Sequence, residues 1–370
     1  MERPGLYVHV PFCRTKCPYC DFYSVTSLSL VPAWLDAIQR EALIYRDRFG
    51  SFDSLYLGGG TPTILGSREL ARLMGVLFQN FSFSRDPEIT IEANPDDITK
   101  EKTALFRDLG FNRISLGVQS LNEKELRFLQ RRHSAKKAEE AIEVIRTSGY
   151  TNLSIDLMYG LPGQDESVWM TTLRRIVGYN PAHISCYQMT ISEGTPFYRM
   201  LRQGRIQAPG KERERAFFLL TSAYLEENGY IHYEISNFAR EERTMSRHNI
   251  KYWRHVPYLG LGPSAHSFLK GLRWWNLRSV DGYCQALDCG RRPVEDRERL
   301  TEEQVHLESL FLGFRTREGV KKNLLEGTPG SDRALREIRS AGLATLQGDR
   351  IIPTREGFLM ADSLPLLFSH

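Results

Sequence analysis

Leu6-Tyr7-Val8-His9-Val10 runs through Pro11 and Phe12 directly into Cys13-Arg14-Thr15-Lys16-Cys17-Pro18-Tyr19-Cys20. A short β-branched apolar run of this kind reads as a strand, and the loop that leaves it carries three cysteines in eight residues, spaced CxxxCxxC. Thiolates are soft ligands that suit iron–sulfur clusters, zinc or copper(I). A cubane cluster normally takes four cysteines. This loop offers three, and Phe22 stands where a fourth would sit. A centre with one open coordination position does chemistry on a bound ligand, whereas closed sites are structural. The alternative is a closed zinc site that takes its fourth ligand from His9 or a remote histidine.

Outward from the loop, strand-like runs alternate with longer amphipathic segments. Strands are expected at 6–10, 54–57, 88–93, 113–118, 153–158 and 183–191, and helices at 31–49, 68–81, 100–109, 123–129 with 135–147, and 166–177. Ser67, Thr99 and Asp165 read as helix N-caps, and Gly110 and Gly149 as stops. Strands alternating with helices argue for parallel βαβ units. Six consecutive units predict an α/β fold, a partial (β/α) barrel of about six parallel strands, with a doubly wound sheet as the alternative.

The strand ends are unusually polar. The second strand ends in Gly58-Gly59-Gly60-Thr61-Pro62, the third carries Glu92 and Asn94, the fourth ends at Gln119 and Ser120, and the fifth carries Asp156 ahead of Gly160. Polar residues inside apolar strands cost free energy unless satisfied. A row of them at the C-terminal strand edge, where α/β folds place their sites, reads as a binding site beside the cysteine loop. The glycine run lacks the spacing and lysine of a phosphate loop, and no GxGxxG opens a helix. Its glycines instead let a ligand approach the backbone.

The chain has 370 residues, 41% hydrophobic and 25% charged, an ordinary globular composition. A net charge of +4 gives no case for nucleic acid. No run approaches the ~18 apolar residues of a membrane span, so any peripheral membrane association is expected through partners only. The start, Met1 to Leu6, shows no signal-peptide stretch. The six cysteines therefore fit a reducing cytoplasm better than a disulfide framework. Cys186 reads as a buried strand residue, and Cys284 and Cys289 as incidental.

Beyond residue 190 the pattern changes. A helix is expected at 212–227 and one further strand at 230–238. Arg247-His248-Asn249-Ile250-Lys251-Tyr252-Trp253, the segment from Tyr258 to His266, and Trp274-Trp275 form either an aromatic wall for a flat ligand or a packing patch between domains. From Thr301, helices at 303–313 and 332–340 precede a hairpin at 344–353 turned on Gly348-Asp349, a small α+β unit like a winged helix. Arg333, Arg336 and Arg339 are interleaved with Glu337, which makes the unit a lid or packing module rather than a DNA reader. The expected division is a core at 1–238, a connecting segment at 239–300 and the small domain at 301–370.

CxxxCxxC after a first strand, with Tyr19 ahead of the third cysteine and the Gly-Gly-Gly-Thr-Pro run after the second strand, resembles the radical S-adenosylmethionine (SAM) superfamily. The resemblance implies a 4Fe–4S cluster on Cys13, Cys17 and Cys20, with S-adenosylmethionine chelating the fourth iron and open to reductive cleavage. The segments Tyr7–Cys13, Ile91–Pro95, Gly117–Ser120 and Asp156–Pro162 are similar to the branch of the oxygen-independent coproporphyrinogen dehydrogenases (HemN). By that resemblance Tyr7, Tyr19, Gly59, Gly60 and Thr61 would serve the methionyl end of the cofactor. Glu92, Arg131 and Asp156 would address its carboxylate or ribose, and Gln119 the cofactor region, with Arg132 adjoining Arg131.

Three features depart from the dehydrogenases. They carry a further cysteine where this chain has Phe22, and an extension ahead of the first strand that this sequence does not show. His248-Asn249-x-x-Tyr252-Trp253 instead resembles the HNxxYW motif of the haem chaperones of the same branch (HemW). That resemblance implies a haem-binding role for His248, Asn249, Tyr252 and Trp253, with His248 either an iron ligand or a hydrogen-bonding residue, and His266 a second candidate. The expected function is a cytoplasmic haem chaperone that passes haem to acceptor haemoproteins under control of the cluster, S-adenosylmethionine and an electron donor. The alternative is a radical coproporphyrinogen dehydrogenase of porphyrin biosynthesis.

Overall fold

The computed structural model describes residues 2–325 and 330–368; Met1 and, within the expected 301–370 unit, residues 326–329 and 369–370 lie outside the described residues. Six strands, β1 (Gly5–Val10), β2 (Phe52–Gly59), β3 (Phe83–Ala93), β4 (Arg113–Gln119), β5 (Asn152–Tyr159) and β6 (His183–Gln188), pair in parallel and in chain order. The helices between them are α1 (Val31–Tyr45), α2 (Ser67–Asn80), α3 (Lys100–Asp108), α4 (Glu123–Phe128), α5 (Ala135–Thr147) and α6 (Glu166–Gly178). An order without reversal puts right-handed crossovers on one side of the sheet. The expected partial barrel is therefore present, and the doubly wound alternative, which needs a switch point, is not.

The pairing register sorts the side chains. Leu6, Val8, Leu55, Leu57, Ile91, Ile114, Leu116 and Ile155 join Trp34, Ile38, Leu70 and Leu73 of the helices in one continuous core. The opposite set is polar: Tyr7 pairs with Tyr56, His9 with Gly58, Glu92 with Ser115, Gly117 with Asp156, Asp156 with Ser185 and Met158 with Tyr187. Because strand side chains alternate, one face is sealed by helices and the other lines a polar concavity.

After α7 (Pro196–Arg202) and α8 (Lys211–Glu227), the single strand expected at 230–238 is a hairpin, β7 (Ile231–Glu234) and β8 (Asn237–Ala239). Ile235 and Ser236 break the run, and β8 pairs antiparallel with β6. β6 also ends at Gln188, short of residue 191. Ser67 is the first helical residue of α2; the N-cap is Gly66, whose N–H donates to Glu69 at 2.6 Å. Thr99 and Asp165 cap as expected, and Gly110 and Gly149 take left-handed φ of 91° and 81°.

The segment at 239–300 is more than a connector. α9 (Arg247–Trp253) is followed by β9 (Tyr258–Leu261), β10 (His266–Leu269), β11 (Leu272–Asn276), α10 (Val280–Asp288) and β12 (Val294–Arg299). β9 pairs in parallel with β1, and β10 to β12 extend the same sheet to 12 strands. The last unit has its own core around Leu310, Phe314, Ile338 and Ile351. It comprises α11 (Glu302–Gly313), β13 (Val320–Lys321), α12 (Ser331–Ser340), β14 (Ala344–Gln347), β15 (Arg350–Pro353) and α13 (Arg355–Leu359), with strand order β13-β15-β14. The expected helices and hairpin are all there.

Candidate functional site

At the C-terminal ends of β1 to β6 lies a cavity of ≈ 490 Å³ lined by Cys13, Cys17, Cys20, Glu92, Arg131 and Asp156, with Tyr19, Gly59, Gly60, Thr61 and Gln119 among its other walls. The cysteine loop is pinned to the sheet by backbone bonds: Gly60 N donates to Val10 O at 2.9 Å and Thr61 N to Phe12 O at 2.8 Å. A Cβ on Gly60 would stand 2.6 Å from Phe12 O, so only glycine lets the end of β2 lie against the loop. Gly59 adopts φ 106°. Thr61 Oγ1 is 3.6 Å from the Cys13 sulfur. Beneath the loop, Phe197 N donates to Pro18 O at 3.1 Å and the Tyr19 ring sits 6.3 Å from Phe197.

Among the described residues, no three His, Cys, Asp or Glu side chains close around one metal-ion position. A closed zinc site needs such a convergence. A cubane spreads its thiolates over different irons, which matches three thiols lining one cavity. His9 is also unavailable as a zinc ligand: Nδ1 is 3.0 Å from Tyr7 Oη and Nε2 is 2.8 Å from Tyr23 O. The thiol of Cys20 is pushed up, chiefly by burial and further by Cys13 and Cys17. Metal binding to such thiols releases protons.

The polar wall is built for a ligand with donor groups. Glu92 accepts from Tyr56 Oη at 2.8 Å and from Gly59 N at 3.1 Å. Burial, with a smaller contribution from Asp156, raises its carboxyl to about 7 against the lowering effect of those hydrogen bonds. Asp156 accepts from Ser115 Oγ at 3.1 and 3.0 Å, and burial raises it too. Two buried carboxyls in one cavity suit ribose hydroxyls or an ammonium group.

Arg131 is half-buried, donating Nη2 to Gly117 O at 2.8 Å with Nη1 3.6 Å from the Cys17 sulfur. Burial opposes its charge, but Tyr19 and Cys17 outweigh it and hold the pKa above the usual value. Its Nε is buried with no hydrogen-bond partner, a spare donor beside the thiols that fits an anionic group. The neighbouring Arg132 is exposed and pairs with Asp96 at 3.7 Å. Gln119 and Gln130, both in the cavity wall, have positive φ of 67° and 52°, a strain typical of functional sites.

Nearly all the expected cofactor residues therefore meet in one place. Tyr7 does not: it is packed below the cavity, 6.2 Å from Tyr56 and 6.3 Å from His248 between ring centroids. The sequence reading passed over Tyr56, Ser115, Met158 and Tyr187, which also line the cavity. Alternation along β5 from Asp156 points to Met158, whereas Tyr56, Ser115 and Tyr187 lie on other strands and emerge only from the pairing register.

The HNxxYW residues lie elsewhere. α9 plugs the bottom of the barrel. Ser246 caps it, and the N–H groups of Arg247 and His248 donate to Glu88 at 3.1 and 3.0 Å. Lys251 pairs with Asp53 at 2.6 Å. The fit is so close that a Cβ on Gly5 would be 2.8 Å from Lys251 and 2.9 Å from His248. His248 is buried, with Nδ1 3.0 Å from Ser54 Oγ and Nε2 2.9 Å from Tyr252 Oη. Burial, and secondarily Lys251, lower its pKa to about 3. Both ring nitrogens therefore stand within hydrogen-bond distance of a partner, Ser54 on one side and Tyr252 on the other. Asn249 donates its N–H to Ser246 Oγ at 3.3 Å, and Trp253 faces a separate cavity with Arg254 and Arg317.

The sequence profile of the Radical SAM superfamily matches residues 7–176. A protein of Mycobacterium tuberculosis named haem chaperone HemW is 33% identical over 97% of this chain and 93% of its own length. Its namesake from Bacillus subtilis is 32% identical over 97% of each chain. The chain belongs to the HemW family of radical SAM proteins. The HemW family shares its architecture with coproporphyrinogen III oxidase (HemN) of Escherichia coli, a radical SAM enzyme: that structure superposes with a TM-score of 0.84 at 26% identity, covering 100% of this chain and 90% of the other.

Proposed function

We propose that this protein is a haem chaperone that binds haem and hands it to acceptor haemoproteins, with a 4Fe–4S cluster and S-adenosylmethionine controlling its state. The observation that carries this is similarity over nearly the whole chain, including the HNxxYW segment, to proteins named haem chaperones. Cys13, Cys17 and Cys20 would hold the cluster. Arg131, through its spare Nε, would meet the cofactor carboxylate, and Glu92 and Asp156 its hydroxyl or amino groups. Reduced by an electron donor, the cluster supplies one-electron chemistry at the sulfonium. The residues of this chain bind and orient the cofactor and exclude water around it. All six cysteines are free thiols, which supports a reducing, cytoplasmic setting. No helix among the described residues is long and apolar enough to cross a membrane.

The test is a haem titration on anaerobically reconstituted protein, read in the Soret band, followed by transfer to an apo-haemoprotein. Stoichiometric binding and transfer are expected; no binding ends the proposal. A second reading, radical decarboxylation of coproporphyrinogen, is favoured by the superposition on HemN. An anaerobic product assay with reductant and S-adenosylmethionine separates the two. Protoporphyrinogen formation would establish the enzyme, and an intact cluster without product removes it.

A further inference from the structure

Tyr252, Tyr258, His266 and Trp275, four of the ring residues that the sequence groups together, line a second cavity, distinct from the cluster cleft. It has a volume of ≈ 540 Å³ and lies between the β9–β11 strands and α11 of the last unit, within the about 300–1,000 Å³ of small-ligand sites. Tyr258, Phe268 and Trp275 form the sheet side, Tyr252 of α9 stands beside them, and Phe311 and Leu312 form the α11 side. The rings are already ordered against each other: Tyr252 and Tyr258 meet edge-on with centroids 4.7 Å apart, and Tyr258 lies 6.2 Å from Phe268. Arg273 bridges the two sides, donating to Glu298 at 2.9 Å and to Glu308 at 2.7 Å.

Two histidines face this cavity, and they differ. His255 is committed, with Nε2 3.0 Å from Glu308 and Nδ1 3.4 Å from Ser309 Oγ. His266 is exposed and stacks on Trp275 with centroids 5.6 Å apart and planes at 24°. Neither ring nitrogen of His266 has a hydrogen-bond partner among the described residues. A lone free imidazole cannot hold a bare metal ion, which needs three or four ligands. A metalloporphyrin brings its own equatorial ligands and asks the protein for an axial histidine and flat apolar walls.

We propose that this cavity is the haem site, with Tyr258 and Phe268 as its aromatic walls and His266, backed by Trp275, as the residue that would ligate the iron. The assignment rests on the haem-chaperone reading and gives the HNxxYW helix a different task. Tyr56 lines the cluster cleft and its ring is 5.3 Å from His248; His248 is 5.4 Å from Tyr252, which lines the second cavity. His248 and Tyr252 are thus the partition between the two cavities, joined by their own hydrogen bond.

The experiment is a haem titration of wild-type protein, His266→Ala, Leu312→Trp and His248→Ala, each checked for fold by circular dichroism and for iron content. His266→Ala should weaken haem at least about tenfold and shift the Soret and spin state, and added imidazole should restore the wild-type spectrum. Leu312→Trp, which fills the cavity without touching a ligand, should block binding, while His248→Ala should keep the wild-type ligand spectrum. If wild type binds haem and both His266→Ala and Leu312→Trp bind it unchanged, the site assignment is overturned and the chaperone reading stands. If wild type binds no haem, both fall together.

Discussion

The cluster cleft and the HNxxYW helix share the inner face of one sheet, yet the first is open and the second is filled. At the cleft, the strand ends hold polar groups with capacity to spare: Arg131 Nε has no partner, and Glu92 and Asp156 are buried carboxyls with raised pKa. Around α9, both nitrogens of His248 are satisfied and Lys251 is neutralised by Asp53. Spare capacity marks a place made for a ligand. Around α9 the polar groups already satisfy one another.

The sharpest way to break that contrast is to remove a thiol. Cys17→Ala should abolish the cluster, taking iron and sulfide from about four of each per chain to background, while the fold survives because the residue is on a half-buried loop. Retention of a full cluster would make the open cleft something other than a cluster site. Next comes the polar wall. Glu92→Gln keeps the shape but removes the negative charge, and S-adenosylmethionine affinity measured on cluster-loaded protein should fall about 10–100-fold, the range for a hydrogen bond to a charged group.

The same carboxyl predicts a pH effect on the ligand-free chain. Its folded pKa, about 7, lies above the 4.5 of the free group. Between those values the folded state holds the proton and the unfolded state releases it, so stability falls as pH rises. Wild type should therefore lose on the order of 3 kcal/mol from this group between about pH 4.5 and 7, and Glu92→Gln should flatten that part of the curve in urea melts. Glu41 and Glu234, also raised to about 7 by burial, leave a residual slope in the variant.

The two regions also differed in how far the sequence could be read. The cleft was legible because its chemistry sits in or just after strand-like runs: Glu92 and Asp156 lie within theirs, Gln119 ends one, and Gly60 and Cys13 follow closely. Tyr56 and Ser115 were missed because a single tyrosine or serine in a strand is common, and only the pairing register shows that they face Glu92. The surroundings of the HNxxYW segment were hidden for the opposite reason. Its residue types suggest a haem ligand, but Glu88 at the N-terminus of α9 and Ser54 on β2, far away in sequence, decide where His248 points. The strand pairing of β9 with β1 was likewise invisible, since the register joins Gly5 to Tyr258 across most of the chain.

Tyr252→Phe tests the joint itself. Removing the hydroxyl leaves His248 Nε2 buried without its 2.9 Å partner, at a cost of about 1–3 kcal/mol. A variant as stable as wild type would mean that water reaches this ring, and that the partition is leakier than its packing indicates.

The smallest effect belongs to Phe22. It stands in the wall of the cluster cleft and is 68% exposed, so Phe22→Ala should change unfolding stability by no more than about 0.5 kcal/mol. Cluster content should also hold, because the thiols and Arg131 are untouched. Any consequence then falls on what approaches the cleft from outside. Under the proposed function, this exposed ring is where a protein electron donor would make contact. Phe22→Ala should slow reduction of the cluster by a protein donor more than reduction by dithionite. Equal slowing by both reductants would put Phe22 on the binding side of the contrast, as part of the cofactor wall, rather than at its rim.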